Sequence, residues 1–205
     1  MENTQLALCD VRGPLDDLNR KLCGDDAAEW LRSFKLFLRH QDPWVVFPTW
    51  MKVYVGGPGY GASGNIDLLR CTNRLRYDDH ATLHVLEKIV YRPRVFAFNL
   101  VRISPWELGF TNDAPTYQEI CERAAELNFV LCPPEVAPAL RLAFHGDTPT
   151  ETSCIATLPI LDPDHSKSRI FMLECFGDKR FLGNRICNAD SRFLPGERLI
   201  FARKE

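Results

Sequence analysis

MKVYVGGPGYGASGNIDLLR, residues 51–70, reads as a strand, a glycine loop and a helix. Within it, Gly57-Pro58-Gly59-Tyr60-Gly61-Ala62 satisfies G-x-G-x-x-[GA], the spacing of a dinucleotide-binding turn. That motif works because helix-terminal amides face the pyrophosphate and glycines let the backbone approach it. A functional match would make the chain a parallel α/β protein. The local order is right, since Val53 and Val55 precede the loop and Ile66 opens the helical pattern. The wider context fails. Asp78 and Asp79 have the distance of a ribose-binding carboxylate but fall in a helix or turn, not at the end of a second strand. Successive βαβ units are missing, Gly64-Asn65 lengthens the loop, and no Gly-Lys-Ser/Thr provides a P-loop. The loop therefore reads as a strand-to-helix connection. Gly57, Gly59 and Gly61 are the candidate phosphate-binding glycines, and no cofactor is expected.

Outward from the loop, the pattern is mixed helix and strand first, then a strand meander. Residues 1–24 read as an N-terminal lead broken at Gly13-Pro14, and residues 25–205 as a single α+β domain. Asp25-Asp26 precede Trp30, Leu31, Phe34, Phe37 and Leu38, which recur at the spacing of one helix face. Lys35, Arg39 and His40 near its end suit the helix dipole. Val45 to Phe47 and Trp50 to Val55 read as short strands, and residues 56–64 as loop. Residues 65–91 read as two helical pieces, with Asp79 as N-cap of the second. Val95 to Leu100 predicts an inner strand covered on both faces. Residues 104–112 form a turn, and Thr116 with Glu119 predicts a capping box on the next helix. Residues 131–144 carry three prolines and then read as a strand. Short strands follow at TSCIATLPIL, RIFMLECF, RFLGNRI and ERLIFARK, predicting an antiparallel meander in the C-terminal third.

Composition narrows the function classes. The net charge of −2 over 205 residues gives no basic excess for nucleic acid, which is not expected as a partner. Nothing approaches eighteen uninterrupted apolar residues, so no membrane span is expected. The eight cysteines include no C-x-x-C, no two being closer than eleven positions, which removes the ribbon-type zinc site and the thioredoxin-type pair. A cytoplasmic protein with reduced, mostly buried thiols is the expectation.

Four constellations could carry chemistry. His80 and His84, four apart, would share a helix face as two imidazole ligands do; a third ligand would have to come from Asp79, His145 or His165, and no metal site is expected. Cys132 would be a nucleophile if a base such as His145 reached it, and is otherwise a buried thiol. Glu135, Arg141, His145, Asp147 and Glu151 form a polar series that, with Glu107, could gather in a pocket for acid–base work or an anion clamp. Arg70, Arg74, Arg76, Arg92 and Arg94 form the basic cluster, of which Arg70, Arg74, Arg92 and Arg94 are the candidates to meet nucleic acid or an acidic partner. Trp44, Trp50 and Trp106 lie beside prolines or turns and are the candidate partner-binding residues, or else close the ends of the core.

Phe47 to Trp50, Glu107 to Phe110 and Leu131 to Leu142 spell F-P-T-W, E-L-G-F and L-C-P-x-E-V-x-P-x-L-R-L. Together with the apolar run Ile155 to Ile160, they resemble a family of uncharacterised bacterial proteins over residues 25–205. The resemblance implies a bacterial cytosolic protein and no particular reaction. The chain departs from that pattern at the glycine loop. The reading that best fits is a non-enzymatic module for an unknown protein or peptide partner. A small-ligand binder or hydrolase-like enzyme around Glu135, Arg141 and His145 is the alternative, and nucleic-acid binding through the arginines a second one.

Overall fold

A computed structural model of the chain describes residues 8–38, 47–58, 61–75, 79–110, 114–144, 152–161, 166–177 and 179–204. In chain order these form α1 (Leu8–Leu22), α2 (Ala27–Leu38), β1 (Met51–Val55), α3 (Ala62–Cys71), α4 (His80–Glu87) and β2 (Phe96–Ile103). Then come α5 (Tyr117–Glu126), β3 (Phe129–Val130), α6 (Val136–Ala143), β4 (Ser153–Ile155), β5 (Ile160–Leu161), β6 (Ser168–Phe176), β7 (Lys179–Ile186) and β8 (Arg198–Arg203). The fold is α+β. Two compact units divide the chain, Met1–Val46 and Phe47–Glu205.

In the first unit α1 packs against α2. Residues 8–22 of the stretch read as a broken lead are therefore helical, and α1 runs through Gly13-Pro14. Asp26 O receives the amides of Glu29 and Trp30, both at 3.1 Å, and so starts α2 where the acidic pair signalled it. Lys21 Nζ lies 3.9 Å from the Trp30 ring centroid. The apolar stripe of α2 stays partly open, with Leu31, Phe37 and Leu38 exposed.

The second unit is organised by β8, whose residues Leu199, Ile200, Phe201 and Ala202 are all buried. Successive strand residues face opposite sides, so four buried in a row require cover on both faces. One flank of β8 pairs with β2, from Leu100↔Ala202 to Ile103↔Leu199. The other pairs with β4 (Ser153↔Arg198 to Ile155↔Ile200) and with β3 (Phe129↔Arg203, Val130↔Ala202). The path β1-β2-β8-β4-β6 then carries β5 on the β4 side of β6 and β7 on its far side. Among the described residues every strand pairing is antiparallel except β4 with β8. The hairpins of the C-terminal third are as the sequence predicts, but its sheet is mixed, because β4 enters beside β8 in the same direction.

Alternation sorts the core into two layers. Leu100, Ile155, Phe171, Leu173, Ile200 and Ala202 pack with Ile66 and Leu69 of α3, Val85 and Leu86 of α4, and Val136 and Leu140 of α6. Val101, Ile103, Cys154, Ile170, Leu199 and Phe201 face the other way, onto Ile120 and Ala124 of α5 and onto Phe193.

Residues 136–143, expected as a strand, are helical. Pro138 lies in the first turn of α6, where backbone amides have no intrahelical acceptor, so its missing N–H removes no helix bond. Val136 to Arg141 are all buried, which erases the amphipathic period that would have betrayed a helix.

The capping box of α5 is present. Thr116 Oγ1 accepts from Glu119 N at 3.2 Å, while Thr116 N donates to Glu119 Oε2 at 2.8 Å. Thr116→Ala is expected to lower unfolding free energy by about 1 kcal/mol in chemical denaturation, with Thr116→Ser near wild type. Equal stability of wild type and the alanine variant would show that the cap contributes nothing.

Candidate functional site

The glycine loop is shaped by the chain itself. Gly56 has φ +81° and Gly57 φ +110°, both in the left-handed region. A Cβ on Gly56 would stand 2.2 Å from Arg94 O and 2.8 Å from Arg92 O. Gly57 N donates to Arg92 O at 3.3 Å. These two glycines let residues 56–57 lie on the 92–95 segment. Gly59 lies outside the described residues. Gly61 is the N-cap of α3 at φ −145°, an extended conformation open to any residue, with no atom within 4 Å of its would-be Cβ. The helix starts at Ala62, so Ala62 to Gly64, expected in the loop, are already helical.

Asp79 caps α4, accepting from Thr82 N at 2.9 Å and from Thr82 Oγ1 at 2.5 Å. His80 is exposed at the first turn and His84 is half-buried. Among the described residues no three His, Cys, Asp or Glu side chains gather as metal ligands. Cys132 is buried, its Sγ 3.5 Å from Ile200 O, and burial pushes its thiol far up, so it stays protonated. His145, Asp147, Glu151 and His165 lie outside the described residues.

The two described members of the polar series, Glu135 and Arg141, are spread along α6. Glu135 stands at its N-terminal end, almost wholly buried, with Arg92 bound to both oxygens: Nε to Oε1 at 2.8 Å and the backbone N to Oε2 at 2.9 Å. Arg92 also stacks near the rings of Phe96 and Phe98, at 5.1 and 5.2 Å, and is thus engaged within the fold. Arg141 occupies the last turn of the same helix. Glu135 and Arg141 therefore stand at opposite ends of α6, and Glu107 lies on the turn after β2. Arg70 and Arg94 are exposed and Arg74 is half-buried.

The tryptophans also part company. Trp44 lies outside the described residues. Trp50 packs edge-on against Phe144 at 4.8 Å, with Arg102 over its ring at 4.8 Å, and so closes one end of the first core layer. Trp106 is 59% exposed. It stands at the rim of a cleft of about 340 Å³ lined by Ser104, Trp106, Glu107, Pro195, Gly196 and Arg198.

Strand register builds this cleft. Ile103↔Leu199 is the last β2–β8 pair, so the next residues, Ser104 and Arg198, meet as the chains leave the sheet. Ser104-Pro105-Trp106-Glu107 then folds as a one-turn capping box. Ser104 N and Oγ each lie 2.8 Å from Glu107 Oε2, and Glu107 N donates to Ser104 Oγ at 3.3 Å. Arg198 Nη1 donates to the same carboxylate oxygen. Trp106 N donates to Pro195 O at 3.1 Å, which fixes the indole's backbone against the opposite wall. Leu194, next to that wall, is exposed. The result is an apolar anchor beside a half-exposed ion pair. Sequence reading named Trp106 and Glu107 and missed Ser104, Pro195, Gly196 and Arg198. The S-x-x-E spacing at 104–107 was the available signal for the turn, but nothing local points to Arg198, 91 positions away from Glu107.

Comparison with protein-family models, curated proteins and solved structures finds no match in any of the three.

If Gly56 serves the chain's own packing, Gly56→Ala must push its Cβ into fixed backbone at a left-handed φ. It is expected to cost at least about 2 kcal/mol, whereas Gly61→Ala stays within about 0.5 kcal/mol of wild type in thermal or urea unfolding. Equal costs at the two positions would contradict this account of the loop.

Proposed function

We propose that the chain is a non-enzymatic protein- or peptide-binding module whose contact surface centres on Trp106. The observation that carries this reading is a tryptophan held at a cleft rim with most of its ring in water. Tryptophan is a strong interface anchor because it buries a large rigid area on few rotatable bonds. At about 340 Å³ the cleft suits one or two side chains of an extended segment. An apolar side chain of the partner would sit against Trp106 and Leu194. Its backbone amides and carbonyls would meet Glu107 and Arg198, which offer an acceptor and a donor side by side.

A bacterial cytoplasmic setting accompanies this reading. It is supported by the resemblance carried at 47–50, 107–110 and 131–142 and by the free thiols, of which Cys132, Cys154, Cys175 and Cys187 are buried. No described helix is long and apolar enough to cross a membrane.

Selection from a random peptide display library against the purified chain tests the proposal. Enriched peptides are expected to carry an aromatic or aliphatic anchor, to bind with micromolar Kd, and to lose at least about tenfold in affinity against Trp106→Ala. That variant should unfold as wild type does, since the ring is exposed. Failure to enrich any sequence, or equal binding by Trp106→Ala, would refute it.

A further inference from the structure

The walls of the Trp106 cleft have spent their acceptors and kept their donors. On one wall the carbonyls of Ser104, Pro105 and Trp106 accept from Leu108 N, Phe110 N and Gly109 N at 3.1, 3.0 and 2.9 Å. On the other, Leu194 O accepts from Glu197 N and Pro195 O from Trp106 N, both at 3.1 Å. Glu107 Oε2 already takes Ser104 N, Ser104 Oγ and Arg198 Nη1. Among the described residues, the side-chain groups left without a hydrogen bond are one acceptor, Glu107 Oε1, and a larger set of donors: the Trp106 indole N–H and the Nε and Nη2 of Arg198. The Arg198 and Glu107 side chains are 38% and 42% exposed, so a partner can reach them.

Gly196 supplies a second observation. Glu197 N closes on Leu194 O, which makes Pro195 and Gly196 the central residues of a tight turn. Gly196 is not in the left-handed region, and a Cβ there would meet no atom within 4 Å. Neither the backbone nor the packing of this turn calls for glycine. Gly196 does line the cleft, and a residue without a side chain lets a second backbone come close.

We propose that the cleft takes a proline-containing segment of its partner in the polyproline II conformation, with the segment's backbone passing over Gly196. This rests on the reading of the cleft as a peptide-binding surface and names the class of peptide. A helical segment has consumed its own carbonyls. A β-strand presents amides and carbonyls in equal number and needs acceptors that these walls have spent. A polyproline II segment has no internal hydrogen bonds, so its carbonyls are all free, and its prolines bring no N–H to satisfy. Its carbonyls meet the indole N–H and Arg198, its occasional amide meets Glu107 Oε1, and a pyrrolidine ring lies against the Trp106 face. The segment is extended before it binds, so little ordering entropy opposes the contact.

Heteronuclear NMR of the full chain tests the proposal through the Trp106 indole N–H, assigned by its loss in Trp106→Phe. The probes are capped hexapeptides of proline, of alternating valine and threonine, and of alanine. The proline peptide is expected to shift that resonance saturably and to bind at least about tenfold more tightly than the other two. Gly196→Ala is expected to weaken its binding at least about tenfold, while melting at or slightly above the wild-type temperature because alanine narrows the unfolded ensemble without straining the turn. Tighter binding of the valine–threonine peptide, lost in Trp106→Ala, would overturn this proposal and leave the peptide-binding reading standing. So would display-selected peptides that depend on Trp106 but contain no proline. Absence of a saturable shift with the proline peptide, or undiminished binding of it by Gly196→Ala, would also overturn the proposal.

Discussion

Four consecutive buried residues in β8 impose the architecture. Leu199 and Phe201 need one apolar layer, Ile200 and Ala202 another, and the backbone between them must find hydrogen-bond partners on both flanks. A strand with that demand can only be interior. β2 satisfies one flank, and β4 and β3 share the other along the strand's length. Helices α3, α4 and α6 cover one face and α5 the other, so the helices are sorted by which side of β8 they shield.

The same strands position the chemistry. Where β2 ends and β8 begins, register brings Ser104 and Arg198 together. The turn that follows exposes Trp106 while tying Glu107 to both. Where α6 packs against β6 and β7, Arg141 is carried into the interior. The motifs at 107–110 and 131–142 acquire physical meaning here. Glu107 caps and pairs, Leu108 is buried, Gly109 adopts φ +98°, and Phe110 packs on the second layer. Cys132 lies against β8, Glu135 anchors Arg92, and Arg141 is enclosed.

Much of this fold is written locally. Asp25-Asp26, Asp79 and the Thr116–Glu119 pair each mark a helix start by chemistry confined to a few residues, and each helix begins there. The strands of the C-terminal third declare themselves through short apolar runs between turn residues. What escapes local reading is what depends on distant partners. Residues 136–143 look like a proline-broken strand because burial on every side removes the helical period and because Pro138 falls where a helix tolerates it. The parallel β4–β8 pairing joins segments some forty residues apart with no local signature. Trp50 and Trp106 share similar neighbours in sequence, yet Phe144 and Arg102 cover one and nothing described covers the other to the same degree. The cleft was half legible, because its turn residues are contiguous while Arg198 arrives through register. Arg141 reads as one member of a polar series, and its burial emerges only once the helix that carries it is packed.

The central claim is that β8 is the innermost strand, and native-state amide hydrogen exchange tests it most directly. The account predicts that the amides of residues 199–202 exchange slowest in the chain, with opening free energies equal to that of global unfolding, while those of the edge strand β1 open more readily. Exchange at 199–202 as fast as at 51–55 would contradict it.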